Sequence, residues 1–232
     1  MSAPWGLLGT PEKRAPWETY LHGKGIETVA IDRAPLHSLH EVVLTLIVDT
    51  DFNSHITQKI WLFEGHMDPS APVLGNLAAA SAAKLTSLCK HPERVAGFAC
   101  CPPLGTYGIE FSRTELTSDE CVTKAKTYLS ALGLTIEEVG DRAGGVLSRT
   151  LAMLVNEACF ALQEGLAPAT ELDLAMKYGV NYPKGLVEWG DFIGIEYLLD
   201  VLDGIYADTR DPRYRASAYL RRKAELGLPL HT

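Results

Sequence analysis

Between residues 143 and 165, apolar side chains recur at spacings of three and four. Val146, Leu147, Leu151, Leu154, Val155, Ala158, Cys159 and Leu162 share one face of a helix. Met153 and Phe160 lie outside that stripe, so the helix is apolar over most of its circumference and is predicted to be buried on several sides. Gly144 and Gly145 precede it, and Gly165 stands where a left-handed C-terminal residue ends a helix. Asn156 and Glu157 break the apolar run, and polar groups in such a setting require partners.

Upstream of this helix the period changes. Residues 5–9 (WGLLG) read as a strand ending at a glycine turn, and Pro16 opens a helix that Gly23 ends. Residues 26–31 form a β-branched strand closed by Asp32, and residues 35–40 a loop. Residues 42–48 (VVLTLIV) are continuously apolar, as in a central parallel strand. A helix is predicted over 54–63, a strand over 72–74 and an alanine-rich helix over 77–89. Strands follow at 94–101 and 107–113, then a helix from a capping box at Thr117 and Glu120, and a strand at 134–139. After residue 142 only helices are predicted: the 143–165 segment, 168–178, the apolar run 186–206 and a basic terminal helix. The fold class is therefore an α/β domain over residues 1–142 and an all-helical domain over 143–232.

The formal net charge of −8 disfavours nucleic acid and anionic membrane surfaces as partners. No apolar run is long enough to span a membrane, and the first ten residues lack a signal-peptide pattern. The cysteines at 89, 100, 101, 121 and 159 are odd in number and show no CxxC spacing, which suggests a reduced cytoplasmic protein.

Strand, glycine turn, helix and strand with a terminal acid is the layout of a dinucleotide-binding unit, with Gly9 and Asp32 in the two key places. The chemistry of the turn is weakened. Pro11 lacks an N–H, and the Glu12 carboxylate would repel a pyrophosphate, so a purely structural βαβ unit is the alternative. His37, His40 and Glu41 match a zinc motif in neither order nor setting, and no metal site is assigned.

Three segments carry a family resemblance: HPERVAGF (91–98), AGGVLSRTLAMLVNEA (143–158) and ATELDLAMKYGVNYPKGLVEWGDFIG (169–194). The chain resembles the 3-hydroxyacyl-CoA dehydrogenase family, and most closely the degenerate second module of bacterial two-copy, phenylacetate-type members. The resemblance implies a Rossmann-like domain, here reduced and degenerate, over residues 1–142, NAD as cofactor if the protein is active, a place in acyl-CoA degradation, and a dimer contact in the helical domain. The large apolar side chains crowded into residues 186–206 exceed what a small helical domain can bury, so a homodimer through residues 143–207 is expected. Alternatively, that surface packs on the chain's own sheet half and leaves a monomer. A full-length dehydrogenase is a further possible partner.

The same resemblance locates several departures. Ala78 stands where the family has a substrate-contacting serine, Ala99 where it has the catalytic histidine, and Ser148 where it has an asparagine. The glutamate that orients the histidine falls at Phe111, with Glu110 one residue away and so on the opposite strand face. No catalytic residue is assigned. Cys100 and Cys101 adjoin the vacated histidine position and are read as buried strand cysteines or, alternatively, as a nucleophile or base. Ser148 and Arg149 are the candidate substrate contacts, as an anion site at a helix N-terminus. Alternatively, Arg149 pairs with a carboxylate across the domain interface. The functional expectation is a non-catalytic or regulatory dimeric homologue. The alternatives are an active NAD-dependent 3-hydroxyacyl-CoA dehydrogenase with unusual residues, and an acyl-CoA or nucleotide-binding module without chemistry.

Overall fold

The computed structural model describes residues 3–50 and 54–231. In the first part, β1 (Trp5–Leu8), α1 (Pro11–Gly23), β2 (Thr28–Ala30), β3 (Leu44–Ile47), α2 (Ser54–Phe63) and β4 (Val73–Asn76) follow one another. Then come α3 (Ala82–Thr86), β5 (Val95–Ala99), β6 (Ile109–Ser112), α4 (Asp119–Ser130) and β7 (Ile136–Glu138). The strands form one seven-stranded sheet in the order β2-β1-β3-β4-β5-β6-β7. All neighbours pair in parallel except β5 and β6.

Successive side chains leave a strand on opposite faces, so the apolar strands feed two cores. Leu7, Leu46, Leu74 and Phe98 pack with Trp17 of α1 and Leu129 of α4. Leu8, Ile47, Val73 and Val95 pack on the other face with Ile60 of α2 and Leu85 of α3. The continuous apolar run at 42–48 is thereby a strand buried on both sides.

The second part consists of α5 (Leu147–Gln163), α6 (Ala169–Gly179), α7 (Leu186–Ile193), α8 (Ile195–Thr209) and α9 (Ala218–Leu226). Leu151, Val155 and Cys159 of α5 pack with Val187, Leu198, Leu202 and Leu220. Ala78 and Cys101 from the sheet half belong to the same cluster, so the two halves share a core. Gly204 of α8 makes this approach possible: a Cβ there would lie 2.3 Å from the Cα of Ala79. The last strand ends at Glu138 and α5 begins at Leu147, on either side of residue 142.

Several elements differ from the sequence reading, each for a local reason. The first helix starts at Pro11 rather than Pro16, because the Thr10 side chain accepts from the Lys13 N–H and Pro11 takes the first turn, where its missing donor is harmless. Residues Leu36–Glu41 form a 3-10 helix instead of a loop. The helix expected over 77–89 shrinks to α3, because Leu77 N–H extends the sheet onto the Phe98 carbonyl and Ala78 N–H turns back onto the Asn76 side chain. Ser118, not Thr117, caps α4; Thr117 instead donates its hydroxyl to the Val95 carbonyl. Asn156 does have partners, the Arg215 carbonyl and the Ser217 N–H, whereas Glu157 is exposed. The apolar run 186–206 breaks at Gly194, whose φ of 101° suits glycine. Eight of its large side chains (Leu186, Val187, Ile193, Ile195, Leu198, Val201, Leu202 and Ile205) are buried inside this chain. The terminal helix begins only at Ala218, capped by Ser217. Among the described residues, no helix is long and apolar enough to cross a membrane.

Candidate functional site

A cleft of about 870 Å³ opens between the two halves, above the C-terminal ends of β3, β4 and β5. In open α/β sheets this edge is where ligands bind. Trp17 and Tyr20 of α1 form one wall, Cys100 and Leu104 the floor, and Ile193 and Tyr197 the helical side. Trp17 stands edge-on to Phe98 with ring centroids 5.4 Å apart, which fixes that wall to the sheet.

The β1–α1 turn borders this cleft. Gly9 is required by close packing, since a Cβ would lie 2.8 Å from Val48 Cγ2 and 2.9 Å from Asp49 Oδ1. The Thr10 N–H, a donor that a phosphate-binding turn presents to its ligand, donates to Asp49 Oδ1 at 3.0 Å. Burial pushes the Asp49 carboxyl above its usual range. The buried Arg14 donates to the Gly9 carbonyl at 3.1 Å and to Asp32, and Lys59 reaches Asp32 at 2.9 Å. Burial opposes ionisation of Asp32, but the Lys59 hydrogen bond and the charges of Arg14 and Lys59 outweigh it and hold the group below its usual range. The two residues expected at a cofactor, Gly9 and Asp32, are therefore joined through Arg14. This turn does not fit a dinucleotide: its leading amide is occupied by a carboxylate, and both oxygens of Asp32 already hold cations.

At the end of β5, Ala99 pairs directly with Glu110 of β6. This corrects the sequence reading, which put Glu110 on the wrong face and Phe111 in its place. Phe111 is buried in the opposite core, against Phe98 and Leu129. Pairing across an antiparallel ladder depends on register, which one chain's sequence does not reveal. Among the described residues, no histidine hydrogen-bonds Glu110. Its two oxygens accept from the Val146 and Leu147 N–H groups, each at 2.7 Å, at the start of α5. Gly145 closes over it with φ of 56°, and a Cβ there would meet Glu110 Oε2 at 2.2 Å.

Because Glu110 sits on those amides, the N-terminus of α5 is already neutralised by the chain's own carboxylate. Ser148 is buried and hydrogen-bonds the Tyr197 hydroxyl at 2.8 Å. Arg149 donates to the Tyr214 hydroxyl and the Ala143 carbonyl, and among the described residues it meets no carboxylate across the interface. Burial pushes the Cys100 thiol up to about 11 and the Cys101 thiol up to about 12. Ala78 is fully buried in the core cluster that it shares with the helical half.

The same device recurs elsewhere. Asp141 accepts from the Ala82 and Ala83 N–H groups of α3, and Asp173 from the Val187 and Glu188 N–H groups of α7. These caps come from residues distant in sequence, so no local capping signal announces them. Of the loop histidines, His40 faces the His37 carbonyl at 2.6 Å. Among the described residues, no group of three or more His, Cys, Asp or Glu is placed to hold a metal ion.

Residues 144–229 match the family model for the 3-hydroxyacyl-CoA dehydrogenase C-terminal domain. The helical half of the chain is therefore a C-terminal domain of the 3-hydroxyacyl-CoA dehydrogenase type. The 3-hydroxyadipyl-CoA dehydrogenase of Escherichia coli is 36% identical over 118 residues, which is 51% of this chain and 25% of that protein. A probable 3-hydroxybutyryl-CoA dehydrogenase of Bacillus subtilis is 28% identical over 160 residues, 68% of this chain and 56% of that one. These matches span from a quarter to just over half of the length of those curated relatives. The fold agrees throughout: the (S)-3-hydroxybutyryl-CoA dehydrogenase PaaH1 from Ralstonia eutropha superposes with a TM-score of 0.80 at 20% identity, covering 98% of this chain and 95% of that one. FadB2 of Mycobacterium tuberculosis gives 0.83 at 18% identity, covering 97% and 94%. At these identities the likeness speaks for the architecture, and the side chains of the cleft speak for themselves.

Proposed function

We propose that this chain is a non-catalytic member of the 3-hydroxyacyl-CoA dehydrogenase family, a dimeric and regulatory homologue in the cytoplasmic degradation of acyl-CoA compounds. The reading rests above all on Ala99, which stands opposite Glu110 with no base between that carboxylate and the cleft. Oxidation of a hydroxyl needs a group to take its proton, and such a group contributes roughly 10²–10⁴-fold in rate. The competing reading, an NAD-dependent enzyme with unusual residues, would draw on Cys100 or Cys101. Both thiols are pushed far above neutrality by burial, which speaks against it. The carboxylate on the Thr10 amide speaks against a bound dinucleotide.

The proposed dimer contact shifts within the helical half. The 186–206 segment is mostly used internally, whereas α6 and its flanks expose Leu166, Leu174, Tyr178 and Val180. A cluster of that kind supports an interface with a second copy or with a full-length dehydrogenase. The free state of all the cysteines supports the cytoplasmic setting.

An assay of the purified chain with acetoacetyl-CoA and NADH tests the reading. We expect no turnover above background, and a rate on the order of 10 per second would overturn it. Light scattering tests the dimer: a mass near 25.3 kDa would refute it. Leu174→Asp with Tyr178→Asp should release monomers.

A further inference from the structure

The cleft is large, yet what lines it suits neither of the polyanions that its family's name implies. We propose that it binds an uncharged, apolar small molecule and excludes anionic ones. This deepens the non-catalytic reading by naming what a cleft without a catalytic base would hold.

Size comes first. About 870 Å³ lies in the range of sites that enclose a whole small ligand. The lining is mostly apolar, with the rings of Trp17 and Tyr197 and the side chains of Val48, Pro102, Leu104 and Ile193. Its polar side chains are largely satisfied from within. Asn76 donates to the Val48 carbonyl and accepts from Ala78 N–H. Thr50 donates to Asp200, Thr19 to the Ala15 carbonyl, and Tyr197 pairs with Ser148. The Tyr20 hydroxyl is buried without a partner among the described residues, near the place a Cβ of Gly105 would take. A polar ligand would lose water here and gain few hydrogen bonds, which costs affinity.

Charge comes second. Lys13 is the one cation among the described lining residues, and its ammonium is held by Asp200 at 2.8 Å. Glu12, in the first turn of α1, and Glu196, in the first turn of α8, line the cleft from its two sides. Both are exposed, and neither forms an ion pair among the described residues. Among the described lining residues an approaching anion meets two carboxylates and no unpaired cation, within a protein whose formal net charge is −8.

A matched pair of dyes tests this on the full chain. N-phenyl-1-naphthylamine is neutral, and 8-anilinonaphthalene-1-sulfonate is the same skeleton with a sulfonate. At low salt we expect the neutral dye to bind saturably at one site, at least tenfold more tightly than the anionic one. Ala15→Trp or Thr19→Trp, both at exposed positions on the cleft wall, should abolish that site while circular dichroism and melting stay as in the parent. Glu12→Gln with Glu196→Gln should bring the two dyes to within about threefold of each other. Equal or tighter binding of the anionic dye to the parent overturns the proposal. So does binding of the neutral dye that survives both tryptophan variants, since the dye is then held elsewhere. Turnover in the dehydrogenase assay would instead strike the non-catalytic reading and leave the dye ratio standing as its own result.

Discussion

Two helix N-termini show how differently this chain treats its two halves. In the helical half, Asp173 reaches from α6 to the Val187 and Glu188 amides of α7 and so ties neighbouring helices together. The cap is structural, and the family model matches the segment that contains it. In the sheet half, Asp49 reaches the Thr10 amide at the head of α1, where a dinucleotide-binding turn would leave that donor free. The physics is identical: a carboxylate satisfies amides and the positive end of a helix. The consequence is opposite, because one cap holds a fold together and the other fills a place where a ligand would sit. Packing and chemistry are separable, and in the function proposed above the sheet half retains the packing alone.

The largest effect is expected from breaking the structural cap. Asp173→Ala leaves two amides at a buried helix start unpaired and should destabilise the chain by roughly 3 kcal/mol in urea unfolding. A loss under about 0.5 kcal/mol would show that water or a neighbour replaces the carboxylate. Glu110→Ala should cost about 1–2 kcal/mol, less because one of its two amides belongs to the exposed Val146. Asp49→Gly removes the plug from the turn. It should bring NADH binding closer by no more than about tenfold, or 1.4 kcal/mol, because Arg14 and Pro11 remain. A gain of several hundredfold would mean that Asp49 alone keeps the cofactor out.

The smallest effect concerns pH. Hydrogen bonding of His231 to Asp191 raises its pKa, burial opposes this, and Asp173 adds to the rise. A histidine with a raised folded value contributes stability that is fully present below its unfolded value near 6.5 and is lost as pH rises through the folded one. The melting temperature should therefore fall slightly as pH passes upward from the ordinary imidazole range. The ring is about a third exposed, so the contribution is under about 1 kcal/mol. His231→Gln should abolish that slope.

The order of strands and helices is legible because short apolar runs bounded by glycine, proline or acidic residues, such as 5–9 and 42–48, contrast with the 3.6-residue period of the α5 stripe. Boundaries slipped where a side chain competed with the helix: Thr10, Ser118 and Asn76 each redirect a neighbouring amide. The missing histidine at Ala99 was legible as an absence. The fate of its partner was not, because Glu110 is placed by the antiparallel register of β6 against β5. Likewise, Ser148 and Arg149 stood out at the head of α5. Only the tertiary structure gives them Tyr197 and Tyr214 as partners and assigns the helix N-terminus to Glu110. Asp49 escaped notice since it lies 39 residues from the amide that it caps.

The turn at the head of α1 is closed by the chain's own Asp49 on the Thr10 amide. Calorimetric titration of NADH into the purified chain tests this directly. The structure predicts no saturable heat up to about 1 mM ligand, corresponding to a binding free energy weaker than about −4 kcal/mol. Stoichiometric binding with a dissociation constant in the micromolar range would contradict it.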